Sequence, residues 1–168
     1  MPAAFVGIGS NLRPEENLGK ALRLLSGEGL FALSTIYRTE PLERPGQPLF
    51  LNCVAGLKTE RPPVELKAAL RDIEASLGRV RTDDRHAPRP IDLDLISYGD
   101  ARLEEDGLVL PDPEIETRPF IAIPLFEIAP DALTPSGAPL EEVVRSLPAI
   151  YMEPLTELSK RIRKEIFK

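Results

Sequence analysis

The hydrophobic period of this chain switches in a fixed order over residues 3–95, and that order leaves few folds open. Residues 3–8 make a short apolar run of strand length, with Gly7 and Gly9 leaving room for close backbone approach. Pro14 then opens a helix that puts Leu18, Ala21, Leu22 and Leu25 on one face. Residues 30–42 and 48–58 read as two strands joined by a hairpin-length connection, Glu43-Arg44-Pro45-Gly46-Gln47. Pro62-Pro63 starts a second helix whose Leu66, Ala69, Leu70, Ile73 and Leu77 keep the 3.6-residue period, and Gly78 is a natural stop. Ile91, Leu93 and Leu95 alternate with polar residues as a half-buried strand does. Strand, helix, strand, strand, helix, strand is the ferredoxin-like βαββαβ pattern. It predicts an α+β fold, an antiparallel sheet with helices on one face.

The last of these strands carries unusual residues. Asp92 and Asp94 alternate with the apolar positions, so both carboxylates point the same way, roughly 6.5–7 Å apart along the strand. Aspartate is depleted in strands, and two like charges on one face repel unless a cation lies between them. Mg²⁺ suits that place, because it takes one or two carboxylates and fills its other positions with water and phosphate oxygens. Just upstream, Arg79, Arg81, Arg85 and Arg89 fall within eleven residues and offer planar forks for phosphate. An isolated Asp-x-Asp is usually a strand end or a solvated face; here an Arg-rich, Pro-bounded loop feeds directly into it. The conjunction points to chemistry on a polyphosphate.

Gly78-Arg79-Val80-Arg81, Arg85 and Pro88-Arg89-Pro90-Ile91-Asp92-Leu93-Asp94-Leu95 together resemble the signature of the 6-hydroxymethyl-7,8-dihydropterin pyrophosphokinase family of folate biosynthesis. Further parts of that pattern stand in order: Ile8-Gly9-Ser10-Asn11-Leu12, Tyr37-Arg38-Thr39 with Pro41-Leu42, Phe50-Leu51-Asn52, Pro111, Arg118-Pro119-Phe120, and residues 124–130. The resemblance spans about residues 3–147 and implies a ferredoxin-like core with extra C-terminal elements, residues 119–128 and 140–147 being short helices. It implies transfer of pyrophosphate from ATP, the co-substrate, to the pterin hydroxymethyl group, with release of AMP. Asp92 and Asp94 are then the ligands of two Mg²⁺ ions. Arg79, Arg81, Arg85, Arg89, Leu95 and Arg118 fall at the ATP positions, with Arg79 and Arg89 closest to the transferring group. Thr39, Leu42, Phe50, Asn52 and Phe120 fall at the pterin positions, and Glu74 at a position near the metals.

By residue type alone, Phe50 and Phe120 read as core, Asn52 as a strand-end residue, and Glu74 as an ordinary exposed helix glutamate. The chain also departs from the pattern. Asp112 stands where the family usually has a histidine that contacts phosphate, His86 where a bulky aromatic often closes over the pterin, and Glu40 where proline is common.

Composition excludes several other classes. A length of 168 residues suits one domain, enough to bury roughly 70% of the unfolded chain's surface. A formal net charge of −6 speaks against a general nucleic-acid binder. Residues 79–89 nevertheless hold four arginines against Asp83 and Asp84, a local excess suited to a small anion. One cysteine, Cys53, allows no internal disulfide and fits a reducing compartment, where it reads as a small buried hydrophobe. No apolar run approaches the ~18 residues of a membrane span, and the start lacks a signal-peptide pattern. A cytoplasmic enzyme acting on small molecules, as a monomer or weak homo-oligomer, is expected.

Two rival classes follow from the same residues. A non-catalytic nucleotide- or metal-binding module on this fold keeps the sites without turnover, which the intact Asp92/Asp94 pair and arginine set disfavour. An RNA-recognition module needs exposed aromatics among basic residues on its central strands, and only 5% of this chain is aromatic. The pyrophosphokinase domain is expected over residues 1–150 and an amphipathic helical tail over 151–168. In the tail Leu155, Leu158, Ile162 and Ile166 recur at helical spacing. Its five basic side chains suit a helix C-terminus. Packing on its own domain, docking on a second subunit and lying on a membrane surface are its three readings, in that order.

Overall fold

The computed structural model describes residues 1–41, 46–80 and 90–168. A six-stranded sheet organises it, built from β1 (Ala3–Ser10), β2 (Leu30–Leu33), β3 (Tyr37–Thr39), β4 (Phe50–Lys58), β5 (Asp92–Tyr98) and, after a short separate hairpin of β6 (Leu103–Glu105) and β7 (Leu108–Leu110), β8 (Met152–Pro154). The order is β5-β1-β4-β3-β8, with β2 also paired to β4, and every pairing is antiparallel. The class is α+β.

The helices form where the apolar period and the prolines place them. Helix α1 (Pro14–Ser26) has proline in its first turn, Glu15 and Glu16 near the positive end of its dipole and Arg23 near the negative end. Helix α2 (Pro63–Ser76) again starts on proline. Past its end Gly78 takes φ +93°, a left-handed conformation that glycine adopts without a Cβ clash. Helices α3 (Pro119–Ile128), α4 (Leu140–Ser146) and α5 (Thr156–Ile166) follow the last central strand.

Strand alternation splits the interior into two layers. Val6 and Ile8 of β1, Cys53, Ala55 and Leu57 of β4, and Leu93 and Leu95 of β5 face one way. They pack with Leu18, Leu22 and Leu25 of α1, Leu66 and Leu70 of α2, and Ile162 of α5. Phe5, Val54 and Ile96 face the other way, against Ile121, Ala122 and Leu125 of α3 and Leu140 and Val143 of α4. The two helices of the βαββαβ stretch, α1 and α2, thus lie on one face; the C-terminal helices α3 and α4 cover part of the second face, and the rest of that face carries the polar residues described below.

The expected single strand over residues 30–42 is corrected. It divides at Ser34-Thr35-Ile36, where side chains replace ladder partners: Ser34 Oγ accepts from Val54 N–H (2.9 Å), and Ser159 Oγ accepts from Ile36 N–H (2.8 Å). Strand β8 pairs with β3, Tyr37 opposite Pro154 and Thr39 opposite Met152. Residues 151–168 thus begin as a sheet strand and continue into α5 against the core. Among the described residues no helix is long and apolar enough to cross a membrane.

Candidate active site

The register of the three central strands assembles the site. Gly9 of β1 lies opposite Asn52 of β4 on one side and Asp92 of β5 on the other. One step back, Gly7 lies between Val54 and Asp94. Residues paired across antiparallel strands share a face, so Asn52, Gly9 and Asp92 form one row and Val54, Gly7 and Asp94 the next. This is the face that α3 and α4 cover only in part. Where they stop, β1 presents two glycines, a floor without side chains between an amide on one flank and two carboxylates on the other.

The amide flank is fixed by its neighbours. Asn52 Nδ2 donates to Thr39 Oγ1 at 2.7 Å, and both side chains are buried. Phe50 is half-buried at the start of β4, opposite Thr39. Phe120, in the first turn of α3, is half-buried against the layer formed by Phe5 and Val54. Both phenylalanines thus keep a surface open, unlike the fully enclosed aromatics of a core.

The carboxylate flank is organised around Arg79. Its Nη1 donates to Glu74 Oε2 (3.0 Å), to the Ile91 carbonyl (3.2 Å) and to Asp92 Oδ1. Glu74 is 2% exposed and also accepts from Leu93 N–H at 2.7 Å. This corrects the expectation of an exposed helix residue. The signal was present in the sequence, since Glu74 stands four residues after Leu70 on the apolar stripe of α2. Burial disfavours the Arg79 charge, but Asp92, Glu74 and Asp94 outweigh that loss and hold its pKa above the usual value. Among the described residues nothing accepts from its Nε or Nη2, so three of a guanidinium's five N–H groups are left for a ligand.

Asp94 has the opposite balance. Surrounding protein, and then the charges of Asp92, Glu74 and Asp112, raise its carboxyl well above the usual carboxylate range. One side of Asp94 stays open to solvent, which makes the three carboxylates the firmer cause. Asp112 reaches this edge because its N–H donates to the Ile96 carbonyl (2.9 Å). Its side chain caps the following 3-10 turn by accepting from Glu114 N–H (2.8 Å), and burial raises its own pKa. Arg118 is half-buried at the start of α3, and its carbonyl accepts from Ile121 and Ala122 N–H.

The donor set fits Mg²⁺. Among the described residues no group of three or more His, Cys, Asp or Glu is gathered as a metal cage. Asp92 and Asp94 share one face, in a surplus of negative charge that raises Asp94. Two oxygen donors that await further oxygens are what Mg²⁺ uses beside phosphates.

Leu95 points elsewhere. It is 4% exposed in the layer under α1 and α2, so its side chain is on the face opposite the aspartates. Leu42, Arg81, Arg85, His86 and Arg89 lie outside the described residues. Ser10, the last residue of β1, and Asn11 just after it stood in the family pattern without an assigned role. Ser10 Oγ donates to the Pro90 carbonyl and Asn11 Nδ2 to Gln47 Oε1 (3.1 Å), so the strand beneath the site also holds the near ends of two loops.

The family model described as 7,8-dihydro-6-hydroxymethylpterin-pyrophosphokinase matches residues 5–130. A curated relative from Haemophilus influenzae, 2-amino-4-hydroxy-6-hydroxymethyldihydropteridine pyrophosphokinase, is 37% identical over 149 residues, 86% of this chain and 92% of its own. The relative of the same name from Pseudomonas aeruginosa is 38% identical over 148 residues, 86% of this chain and 91% of its own. Among solved structures, wild-type Plasmodium falciparum HPPK-DHPS with pterin and p-hydroxybenzoate superposes with a TM-score of 0.65 at 13% identity. That match covers 99% of this chain but spans only 43% of the longer Plasmodium chain, and it speaks to the fold alone. The chain belongs to the 7,8-dihydro-6-hydroxymethylpterin-pyrophosphokinase family.

Proposed function

We propose that the glycine floor of β1 is where this pyrophosphokinase of folate biosynthesis brings its two substrates together. The pterin hydroxymethyl oxygen attacks the β-phosphorus of ATP, the bond to the α-phosphate oxygen breaks in line, and AMP leaves. The protein's part in such a transfer is positioning and charge neutralisation. The observation that carries this reading is the row Asn52–Gly9–Asp92. It sets a hydrogen-bonding amide and a carboxylate on either side of one bare strand, two strand spacings or roughly 9–10 Å apart.

Asn52 reads the pterin edge, oriented by Thr39, while Phe50, Phe120 and Leu42 supply its apolar walls. Arg79 turns its free N–H groups to phosphate, held from behind by Glu74. Arg81, Arg85, Arg89 and Arg118 complete the nucleotide site, with any Leu95 contribution coming from its backbone. Asp92 and Asp94 would hold two Mg²⁺ ions, which would neutralise triphosphate charge and lower the pKa of the attacking hydroxyl. Its proton would then pass to water, without a dedicated side-chain base.

The strand order β5-β1-β4-β3 supports a ferredoxin-like core, with α3, α4, β8 and α5 as additions to it. Residues 1–150 are the catalytic domain and 151–168 a tail seated on it. A buried, unpaired thiol supports a cytoplasmic setting, and small molecules rather than nucleic acid are the partners of a monomer or weak homo-oligomer. Incubation with ATP, Mg²⁺ and hydroxymethyl-dihydropterin tests the reading: AMP and the pterin diphosphate are expected in equal amounts. Formation of ADP, or no pterin-dependent AMP, would refute it.

A further inference from the structure

We propose that Gly9 is a positioning residue for the dihydropterin: the missing Cβ is what lets the Asn52 carboxamide lie over β1 while bonded to Thr39. The proposal rests on the pterin reading above. Gly9 is buried one residue before the end of β1, still in regular strand pairing, and lacks the left-handed φ found at Gly29, Gly46, Gly78, Gly99, Gly107 and Gly137. Its backbone therefore gives no reason for glycine, and the reason must be space.

A Cβ built on Gly9 would stand 2.8 Å from Asn52 Oδ1, 3.7 Å from Phe50 Cδ1 and 3.9 Å from Asn52 Cγ. The first distance is closer than a carbon and an oxygen can approach without one moving. Asn52 has little freedom to move. It is 9% exposed, and its Nδ2 is committed to Thr39 Oγ1 at 2.7 Å, itself 1% exposed. Gly7, two residues back on the same face, is a useful contrast: a Cβ there would meet nothing nearer than 3.7 Å. The crowding at Gly9 is therefore specific to Asn52. A methyl group at Gly9 would turn the carboxamide, break the bond to Thr39 and misdirect the groups offered to the ring edge. Asp92 is on the other side of Gly9 in the register, so the nucleotide side loses no hydrogen bond.

The test is a cycle of Gly9→Ala, Asn52→Ala and the double variant, reading kcat, the two KM values and the thermal midpoint. Gly9→Ala is expected to raise the pterin KM about tenfold while the ATP KM stays within about twofold. In the Asn52→Ala background, where the obstructing oxygen is gone, Gly9→Ala should change the pterin KM less than about twofold and cost less in midpoint. An unchanged pterin KM in Gly9→Ala, or the same rise in both backgrounds, would overturn the proposal while leaving the pterin reading intact. If Gly9→Ala alone does not fold, a folded double variant supports the proposal and an unfolded one overturns it. Should Asn52→Ala itself bind pterin like wild type, the pterin assignment fails and the proposal falls with it.

Discussion

The Glu74 carboxylate accepts from Arg79 Nη1 at 3.0 Å while enclosed to within 2% of full burial. The same oxygen accepts from Leu93 N–H, between Asp92 and Asp94 at the start of β5. One helix residue thus fixes both Arg79 and the carboxylate strand. Glu74→Ala strands a buried N–H and removes a buried partner of Arg79, and it should cost about 2–4 kcal/mol in urea unfolding. Glu74→Gln keeps an acceptor for Leu93 and should lose less. Turnover should fall in both, because Arg79 loses its backing. A loss under about 1 kcal/mol in Glu74→Ala would show that this contact does not organise the site.

Asp94 should behave in the opposite sense. Its folded-state pKa is raised, first by surrounding protein and then by Asp92, Glu74 and Asp112, whereas the unfolded chain titrates near 4. Between those two values the folded protein holds a proton that the unfolded chain has released, so stability falls as pH rises through the window. At about pH 7, well above the unfolded value, Asp94 is therefore a net cost to the fold. Asp94→Asn should therefore raise the urea midpoint at about pH 7 and leave it unchanged at about pH 3, where both side chains are neutral. If Asp94 holds metal as proposed, turnover should drop by about a hundredfold or more. A lower midpoint at neutral pH would contradict the repulsion argument.

Burial pushes the Cys53 thiol up to about 12, with Arg163 pulling slightly down and Glu127 slightly up. The thiol is 1% exposed within the layer under α1. In the folded protein it should react with a disulfide reagent at about pH 8 some thousandfold more slowly than in urea, since both access and thiolate are lacking. Labelling at the unfolded rate would mean that this layer opens readily.

Much of this was legible in the sequence, and the exceptions share a cause. Both core helices and the long strand β4 announce themselves through prolines and period, and the alternation of Ile91, Leu93 and Leu95 put the aspartates on one face. The break at Ser34-Thr35-Ile36 was hidden because it depends on a distant hydroxyl, Ser159, 123 residues away. Strand β8 is three residues ending in proline, too short for any period. The β6–β7 hairpin had a local signal that went unread: Asp106-Gly107, with φ of 49° and 75°, is the dipeptide favoured in a tight two-residue turn. Within the site, residue type and spacing named the carboxylates, whereas the amide of Asn52 came only from the family resemblance. The buried state of Glu74 and the crowding at Gly9 needed three strands and a helix in register.

The segment after residue 150 yields the last prediction. Ile162 of α5 is 4% exposed in the main core, Ser159 Oγ accepts from Ile36 N–H, and Arg163 Nε donates to the Leu33 carbonyl at 3.1 Å. With β8 paired to β3, the segment begins directly beside the strand that carries Thr39. Its contribution should be stability rather than chemistry. Ile162→Ala should cost about 2–4 kcal/mol, from lost burial and the cavity left behind, and lower the thermal midpoint by about 5–15 °C for a chain of this size. Ser159→Ala leaves Ile36 N–H without its acceptor and should cost about 1–3 kcal/mol. At about 25 °C both variants should keep kcat within about twofold of wild type, with any change confined to the pterin KM through Thr39. A large drop in kcat in either variant, with the fold intact by circular dichroism, would mean that the segment acts on the reaction itself.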